Sequence, residues 1–160
     1  MKKVPDLLSR EKTTQLYKKL CEVVPAGVNS PVRSFPNLGI SPLIVDRGQG
    51  DTLTDLDGND YIDYCCSWGA LLFGHANPTI IDAVTEQLAK GSSYGTSTAI
   101  EEQLARRVVT SCPSMEKVRF VSSGSEATMA ALRLARGATG KKYIIKFSGN
   151  YHGSADFLQV

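Results

Sequence analysis

The feature that most constrains the fold is a strand–helix–strand pattern in the last third of the chain. Residues 117–122 ("KVRFVS") have the pattern of a short strand, and residues 123–137 ("SGSEATMAALRLARG") that of a helix ending at glycine. Residues 143–147 ("YIIKF") form a second, almost continuously apolar strand pattern. The three elements fit within about 30 residues, the size of one βαβ unit with a right-handed crossover. The sequence therefore predicts an α/β fold with two parallel strands here.

Composition narrows the function classes. A length of 160 residues with 42% hydrophobic and 21% charged residues is that of a soluble globular protein with one sizeable core. The net charge is +2 and the basic residues are spread along the chain, so we expect no nucleic-acid partner and no membrane partner. The charged start "MKKVPDLLSREK" does not have the pattern of a signal peptide, and "YCCSWGALLFG" is too short to span a bilayer. We predict a cytoplasmic protein.

Cysteine and histidine give no metal signal. The four cysteines, at positions 21, 65, 66 and 112, lack metal-ligand spacing, and we expect small buried thiols in a reducing compartment. The two histidines are far apart and no carboxylates cluster beside them, so we expect no metal site. His75 is expected to be a turn residue bonded to local backbone rather than a catalyst.

The first half of the chain has a helix followed by a small sheet. A helix is predicted from about residue 7 to residue 24, ending at Pro25, and a Pro- and Gly-rich loop follows it. Three short strands are then predicted at residues 43–47, 51–56 and 60–65. Gly48-Gln49-Gly50 and Asp57-Gly58-Asn59 separate them, and the second of these is a strong hairpin signal. We predict an antiparallel meander.

Two capped helices are predicted between this meander and the βαβ unit. Asn77 with Pro78 begins a helix that closes at Gly91, and a Thr98–Glu101 capping box begins another that stops at Cys112.

Candidate ligand-binding residues cluster at one predicted rim. The loops that leave parallel strands lie on the same edge of a sheet, which places Ser123-Gly124-Ser125 near residues 148–153. A helix N-terminus with glycine and serine suits a phosphate group. On spacing alone, the residues favour a capping box of Ser123 and Glu126 and nothing more.

Tyr151 and His152 follow the second predicted strand. Tyr151 could stack on a flat heteroaromatic ring, or it could simply pack within a turn whose His152 faces solvent or caps a helix. Both interpretations stay open from the residues alone.

"SGSEATMAALRLARG" followed by "KFSGNYHG" resembles the class III aminotransferases, enzymes of fold type I that use pyridoxal 5'-phosphate (PLP). The resemblance implies that Ser123, Gly124 and Ser125 receive the cofactor phosphate. It also implies that Tyr151 lies over the pyridine ring, with His152 in the same cofactor-binding segment. Serine at position 125 replaces the commoner threonine.

Two further segments, "PAGVNSPVRSF" and "YIDYCCSWGALLFGHANP", are similar to the aminomutase subfamily. That similarity implies isomerisation of the small molecule glutamate-1-semialdehyde to 5-aminolevulinate, in tetrapyrrole biosynthesis. Ser30 and Arg33 would hold the substrate carboxylate, and Trp68 would line the pocket. An arginine is the expected partner, because its planar fork binds a carboxylate through two hydrogen bonds.

The resemblance also implies how the chain is organised. Residues 1–70 would form the N-terminal helix, the substrate-binding loop and the meander, and residues 71–160 the first, incomplete part of a large, mostly parallel-sheet domain. The lysine that bonds the cofactor is expected beyond Val160, so no catalytic residue is expected within these residues. We expect a homodimer in the complete enzyme and no activity from the 160-residue chain alone.

Two other functions remain open. One is an ω-amino acid or ornithine-type transaminase, and the other is a non-catalytic chain that keeps the phosphate turn. Three positions depart from the family pattern, which usually has Glu at Ser148, a small residue or Cys at Asn150, and His at Ser154.

Overall fold

The computed structural model describes residues 8–35 and 38–159. It divides into two units, one ending at Ser93 and the other beginning at Tyr94. The boundary predicted after residue 70 stays a prediction.

The first unit begins with helix α1, Glu11–Val23. The carboxylate of Asp57 accepts hydrogen bonds from the backbone N–H groups of Lys12 (2.8 Å) and Thr13 (2.9 Å), which an isolated helix would leave unpaired. The helix ends before Pro25, because a residue that precedes proline is driven out of the helical region. The prediction is confirmed in its C-terminal end and wrong at residues 8–10, which precede the helix, and its first residue, Leu7, lies outside the described residues.

Three antiparallel strands follow in the order β1-β2-β3. They are β1, Val45–Gln49, β2, Thr52–Asp55, and β3, Asp60–Ile62. The meander and the hairpin at residues 57–59 are confirmed. The predicted turn at Gly48-Gln49-Gly50 is wrong in its first two residues, because Gly48 and Gln49 pair with β2 as the end of β1.

Asp55 is the buried centre of this hairpin, with 1% of its surface exposed. Its carboxylate accepts hydrogen bonds from the N–H groups of Asp57 (2.9 Å) and Asn59 (2.8 Å) and from the Tyr61 hydroxyl (3.0 Å). Burial by itself would raise the pKa of Asp55, but these hydrogen bonds favour the carboxylate and together lower it. These hydrogen bonds thus hold the turn between β2 and β3 in its conformation.

Helix α2, Pro78–Leu88, completes the first unit, and α3, Ala99–Ser111, begins the second. The side chain of Asn77 accepts a hydrogen bond from Ile80 N–H, and Glu101 reaches back to Thr98 N–H at 3.1 Å. Both predicted helix starts are confirmed.

Helix α4, Gly124–Thr139, also begins as predicted: Ser123 Oγ accepts a hydrogen bond from Glu126 N–H at 3.2 Å. Its predicted end at Gly137 is wrong. Gly137 stays helical, and the chain leaves the helix through Gly140, which takes the left-handed conformation (φ 67°) that favours glycine.

The two predicted parallel strands do not form. Among the described residues, segments 117–122 and 143–147 join no sheet and share no backbone hydrogen bond. Parallel sheets occur where both faces are covered, and among the described residues no further strand lies beside these two segments. Apolar side chains of α4 accordingly remain open to solvent, with Leu134 73% exposed.

The cysteine prediction is also wrong in its burial. Cys21 and Cys65 are exposed, Cys66 and Cys112 are half-buried, and all four thiols are free. Within the described residues, no helix has both the length and the apolar character needed to cross a bilayer.

Candidate active site

The N-terminus of α4, in the second unit, is exposed. Among the described residues, the backbone N–H groups of Gly124 and Ser125 have no hydrogen-bond partner. A Cβ on residue 124 would meet no atom within 4 Å, so a ligand can approach the backbone closely. These donors and the positive end of the helix dipole attract negative charge.

Ser125 joins this helix end to the loop that follows residue 151. Its Oγ accepts a hydrogen bond from Ser154 N–H (3.0 Å) and lies 3.2 Å from Ser154 Oγ. The Thr128 hydroxyl lies 2.9 Å from the Ser125 carbonyl and 3.1 Å from the His152 carbonyl. The structure therefore brings Ser125 together with residues 152–154.

Gly153 is a site residue that the sequence reasoning missed. It is buried, has φ +93°, and lies so close to α4 that an added Cβ would stand 2.8 Å from Ser125 Oγ. Both conditions require glycine. In the sequence, only the glycine of the "YHG" segment indicates a close approach of the backbone at this position.

Tyr151 and His152 have different surroundings. Tyr151 is 82% exposed, which leaves its ring available for stacking. His152 is half-buried beside a cleft of about 330 Å³, and its Nε2 is buried without a partner among the described residues. Lys146 lines the same cleft, and its Nζ donates a hydrogen bond to the Leu158 carbonyl at 2.7 Å.

In the first unit, Arg33 lies in a short turn, Pro31–Ser34, which Ser30 directly precedes. The Arg33 N–H donates a hydrogen bond to the Ser30 carbonyl at 2.9 Å. The Arg33 side chain is exposed, and its guanidinium makes no hydrogen bond or ion pair within the described residues. It is therefore available to an anionic ligand.

The chain just before this turn is fixed to α1. The Tyr17 hydroxyl donates to the Ala26 carbonyl at 3.0 Å, and Gly27 lies where a Cβ would be 2.5 Å from the Tyr17 ring. Ala26 and Gly27 both have positive φ (54° and 66°). These contacts fix the conformation of the backbone that leads to Ser30 and Arg33.

Trp68 lies in an unusual left-handed turn, Cys66–Gly69. Its residues have φ values of 47°, 51°, 62° and 90°, and the three that are not glycine each cost about 1–2 kcal/mol there. Trp68 itself is 79% exposed. Nothing in the sequence indicates this turn, because Cys, Ser and Trp seldom adopt such a backbone.

The side chain of Asp63 holds the start of this turn. It accepts hydrogen bonds from the N–H groups of Cys65 (2.9 Å) and Cys66 (3.0 Å), and its other oxygen lies 2.7 Å from His75 Nε2. The contact with His75 and then the Cys66 N–H lower the pKa of Asp63. The prediction for His75 was incomplete: its backbone pairs with Gly50, but its ring is bound to a carboxylate.

The first unit contains the predicted substrate residues, Ser30, Arg33 and Trp68. The second unit contains the predicted cofactor residues, Ser123, Gly124, Ser125, Tyr151 and His152.

Comparisons of the sequence and of the fold point to one enzyme family. The chain belongs to the class III aminotransferase family, whose model, "Aminotransferase class-III", matches residues 36–158. Curated relatives include glutamate-1-semialdehyde 2,1-aminomutases. That of Protochlamydia amoebophila is 54% identical over 154 residues, which cover 96% of this chain and 36% of the relative. That of Chloroflexus aurantiacus is 55% identical over 144 residues, covering 90% and 32%.

Solved structures give the same family. An omega-transaminase from Sphaerobacter thermophilus is 38% identical with a TM-score of 0.85, covering 92% of this chain and 33% of that one. A glutamate-1-semialdehyde-aminomutase from Pseudomonas aeruginosa PAO1 is 28% identical with a TM-score of 0.79, covering 92% and 32%. The predicted family and fold class are confirmed, and the chain spans about one third of the length of these relatives.

Proposed function

We propose that the protein carrying this sequence isomerises glutamate-1-semialdehyde to 5-aminolevulinate with PLP, for tetrapyrrole biosynthesis, as a cytoplasmic homodimer. The observation that best supports this reaction is the 54% sequence identity to a curated aminomutase over 96% of this chain.

The residues at the α4 N-terminus fit the phosphate of PLP. A cradle suited to a dianion is formed by two N–H donors that have no partner in the described part of the chain, by the Ser125 hydroxyl, and by a loop that approaches through a glycine. When bound, PLP supplies an electron-poor ring that stabilises negative charge on the substrate carbon. The exposed ring of Tyr151 would stack on that flat surface, with His152 beside it.

Arg33, Ser30 and Trp68 would hold the substrate. The exposed guanidinium of Arg33 would bind the carboxylate through two hydrogen bonds, with the Ser30 hydroxyl as a further donor. A fixed carboxylate leaves only the far end of the substrate to move while the amino group changes position. Trp68 would supply an apolar wall that excludes water. We propose that the lysine that bonds the cofactor lies outside these 160 residues.

A transaminase is the second candidate, and a specific observation favours it. The omega-transaminase structure has a higher TM-score and a higher identity to this chain than the aminomutase structure has. A transaminase needs a second keto acid to complete its cycle, and an aminomutase does not.

One assay separates these functions. The natively expressed protein would be purified, weighed intact, and given glutamate-1-semialdehyde without any keto acid. Release of 5-aminolevulinate over many turnovers is the expected result. Turnover only after a keto acid is added would identify a transaminase. No turnover from a protein of 17.3 kDa would identify a non-catalytic chain.

A further inference from the structure

The left-handed turn Cys66–Gly69 has a dedicated support. Three residues other than glycine adopt positive φ in succession, a conformation that persists only where surrounding contacts impose it. Asp63 supplies those contacts, since its carboxylate binds the N–H groups of Cys65 and Cys66 directly before and at the start of the turn. Cys66 Sγ also lies 3.1 Å from the Asp63 carbonyl.

His75 in turn fixes the Asp63 carboxylate. Its Nε2 lies 2.7 Å from Asp63 Oδ2, and both side chains are shielded, with 19% and 8% of their surfaces exposed. The His75 ring rests against the backbone of Gly48, where an added Cβ would stand 2.7 Å from the ring. Two backbone hydrogen bonds with Gly50, of 2.7 and 2.9 Å, hold the main chain of His75.

We propose that Asp63 and His75 are positioning residues for Trp68, holding residues 66–69 in the left-handed turn that presents the indole to the substrate. The inference rests on the proposed function, since it takes Trp68 as part of the substrate site. Strain of this kind concentrates where a side chain must be presented in one orientation, and the exposed indole is the large group that this turn presents.

The first test needs no catalysis. Trp68 is the single tryptophan of the chain, so its fluorescence anisotropy reports on this turn alone. Asp63→Ala is expected to lower the anisotropy toward that of the urea-unfolded chain, with unchanged helical circular dichroism. Ser67→Gly, added to Asp63→Ala, is expected to restore part of it, because glycine tolerates positive φ.

Gly48→Ala is the second variant, and it keeps the test valid if Asp63→Ala unfolds the chain. It leaves Asp63 intact but displaces the His75 ring, and it is expected to lower the anisotropy in the same direction. The matched control is Asp46→Ala, since Asp46 is an exposed aspartate whose ion pair is with the neighbouring Arg47. Unchanged anisotropy in Asp63→Ala and Gly48→Ala would overturn the proposal.

The second test asks whether Asp63 acts through Trp68. In the enzyme that carries this sequence, Asp63→Ala is expected to raise KM about tenfold with a smaller change in kcat. Adding Asp63→Ala to Trp68→Ala is expected to cause no further loss of kcat/KM, because coupled residues are not additive. Additive losses would overturn the positioning role and leave the proposed function standing. An enzyme that ignores glutamate-1-semialdehyde would remove the proposed function, while the anisotropy would still decide whether Asp63 holds the turn.

Discussion

Gly153 and Ser125 are in direct contact: a Cβ on residue 153 would lie 2.9 Å from Ser125 Cα and 2.8 Å from its Oγ. This contact sets the distance between the α4 N-terminus and the loop that carries Tyr151. The cradle therefore depends on residue 153 being a glycine, with no side chain between the loop and α4.

Gly153→Ala should separate the loop from α4 and break the bond from Ser154 N–H to Ser125 Oγ. We expect the free energy of unfolding to fall by about 1–3 kcal/mol from overpacking, measured by urea denaturation. The affinity of the complete enzyme for PLP should fall with it. Gly149→Ala is the matched control, because Gly149 also has positive φ (79°) but open space around it. Equal losses in the two variants would show that backbone strain, and not the contact with Ser125, is responsible.

Arg33→Ala should remove the binding partner of the substrate carboxylate. We expect kcat/KM of the complete enzyme to fall by a factor that corresponds to several kcal/mol, and Arg33→Lys to recover only part of it, because lysine lacks the planar fork. Steady-state kinetics measure both. Arg47→Ala, which removes another exposed arginine, should change kcat/KM little. A change below about twofold in Arg33→Ala would remove Arg33 from the site.

Asp55→Asn should weaken the hairpin. The new NH₂ group would face donors that now bind a carboxylate, so we expect the free energy of unfolding to fall by about 2 kcal/mol. Burial and the bond to Asp55 raise the pKa of Tyr61, and the variant should lower it toward 10.0. Tyrosine NMR signals followed through alkaline pH report this change. If the pKa of Tyr61 is the same in the variant, burial alone raises it.

Stability should fall in acid because of Asp63. Its contact with His75 and its backbone hydrogen bonds hold its pKa in the folded chain below the ordinary value of 3.8. The stabilisation is therefore complete above that value and is lost as the pH falls from 3.8 through the lower folded pKa. Urea midpoints at about pH 6 and about pH 3 measure the loss. In Asp63→Asn the difference should be smaller, and an equal difference would assign the acid sensitivity to other groups such as Asp55.

Local signals in the sequence were sufficient for most helix starts. Asn77 with Pro78, Thr98 with Glu101 and Ser123 with Glu126 each bond within three residues, so their geometry follows from spacing alone. The hairpin at residues 57–59 followed from its Asp-Gly pair in the same way. The end of α4 could not be read in this way, because Gly137 and Gly140 are both suitable caps and the helix continues through the first to end at the second.

Contacts between distant residues could not be predicted. Spacing gave no sign that Asp57 caps α1, that the His75 ring binds Asp63, or that Gly153 packs on Ser125. The parallel-strand pattern at residues 117–122 and 143–147 failed for a related reason. An apolar run indicates a tendency to form a strand, but the strand exists only when another segment pairs with it.

The bond between Asp57 and the start of α1 closes a loop of 45 residues, and the segment with Ser30 and Arg33 lies inside it. Loop-closure entropy depends only weakly on length, about 0.6 kcal/mol for each doubling. Insertions near Ser30 should therefore cost little, whereas cutting the backbone there would leave two separate chain ends, the first still bound to α1 through the Tyr17 hydroxyl and the Ala26 carbonyl. For this segment, chain continuity matters more than chain length.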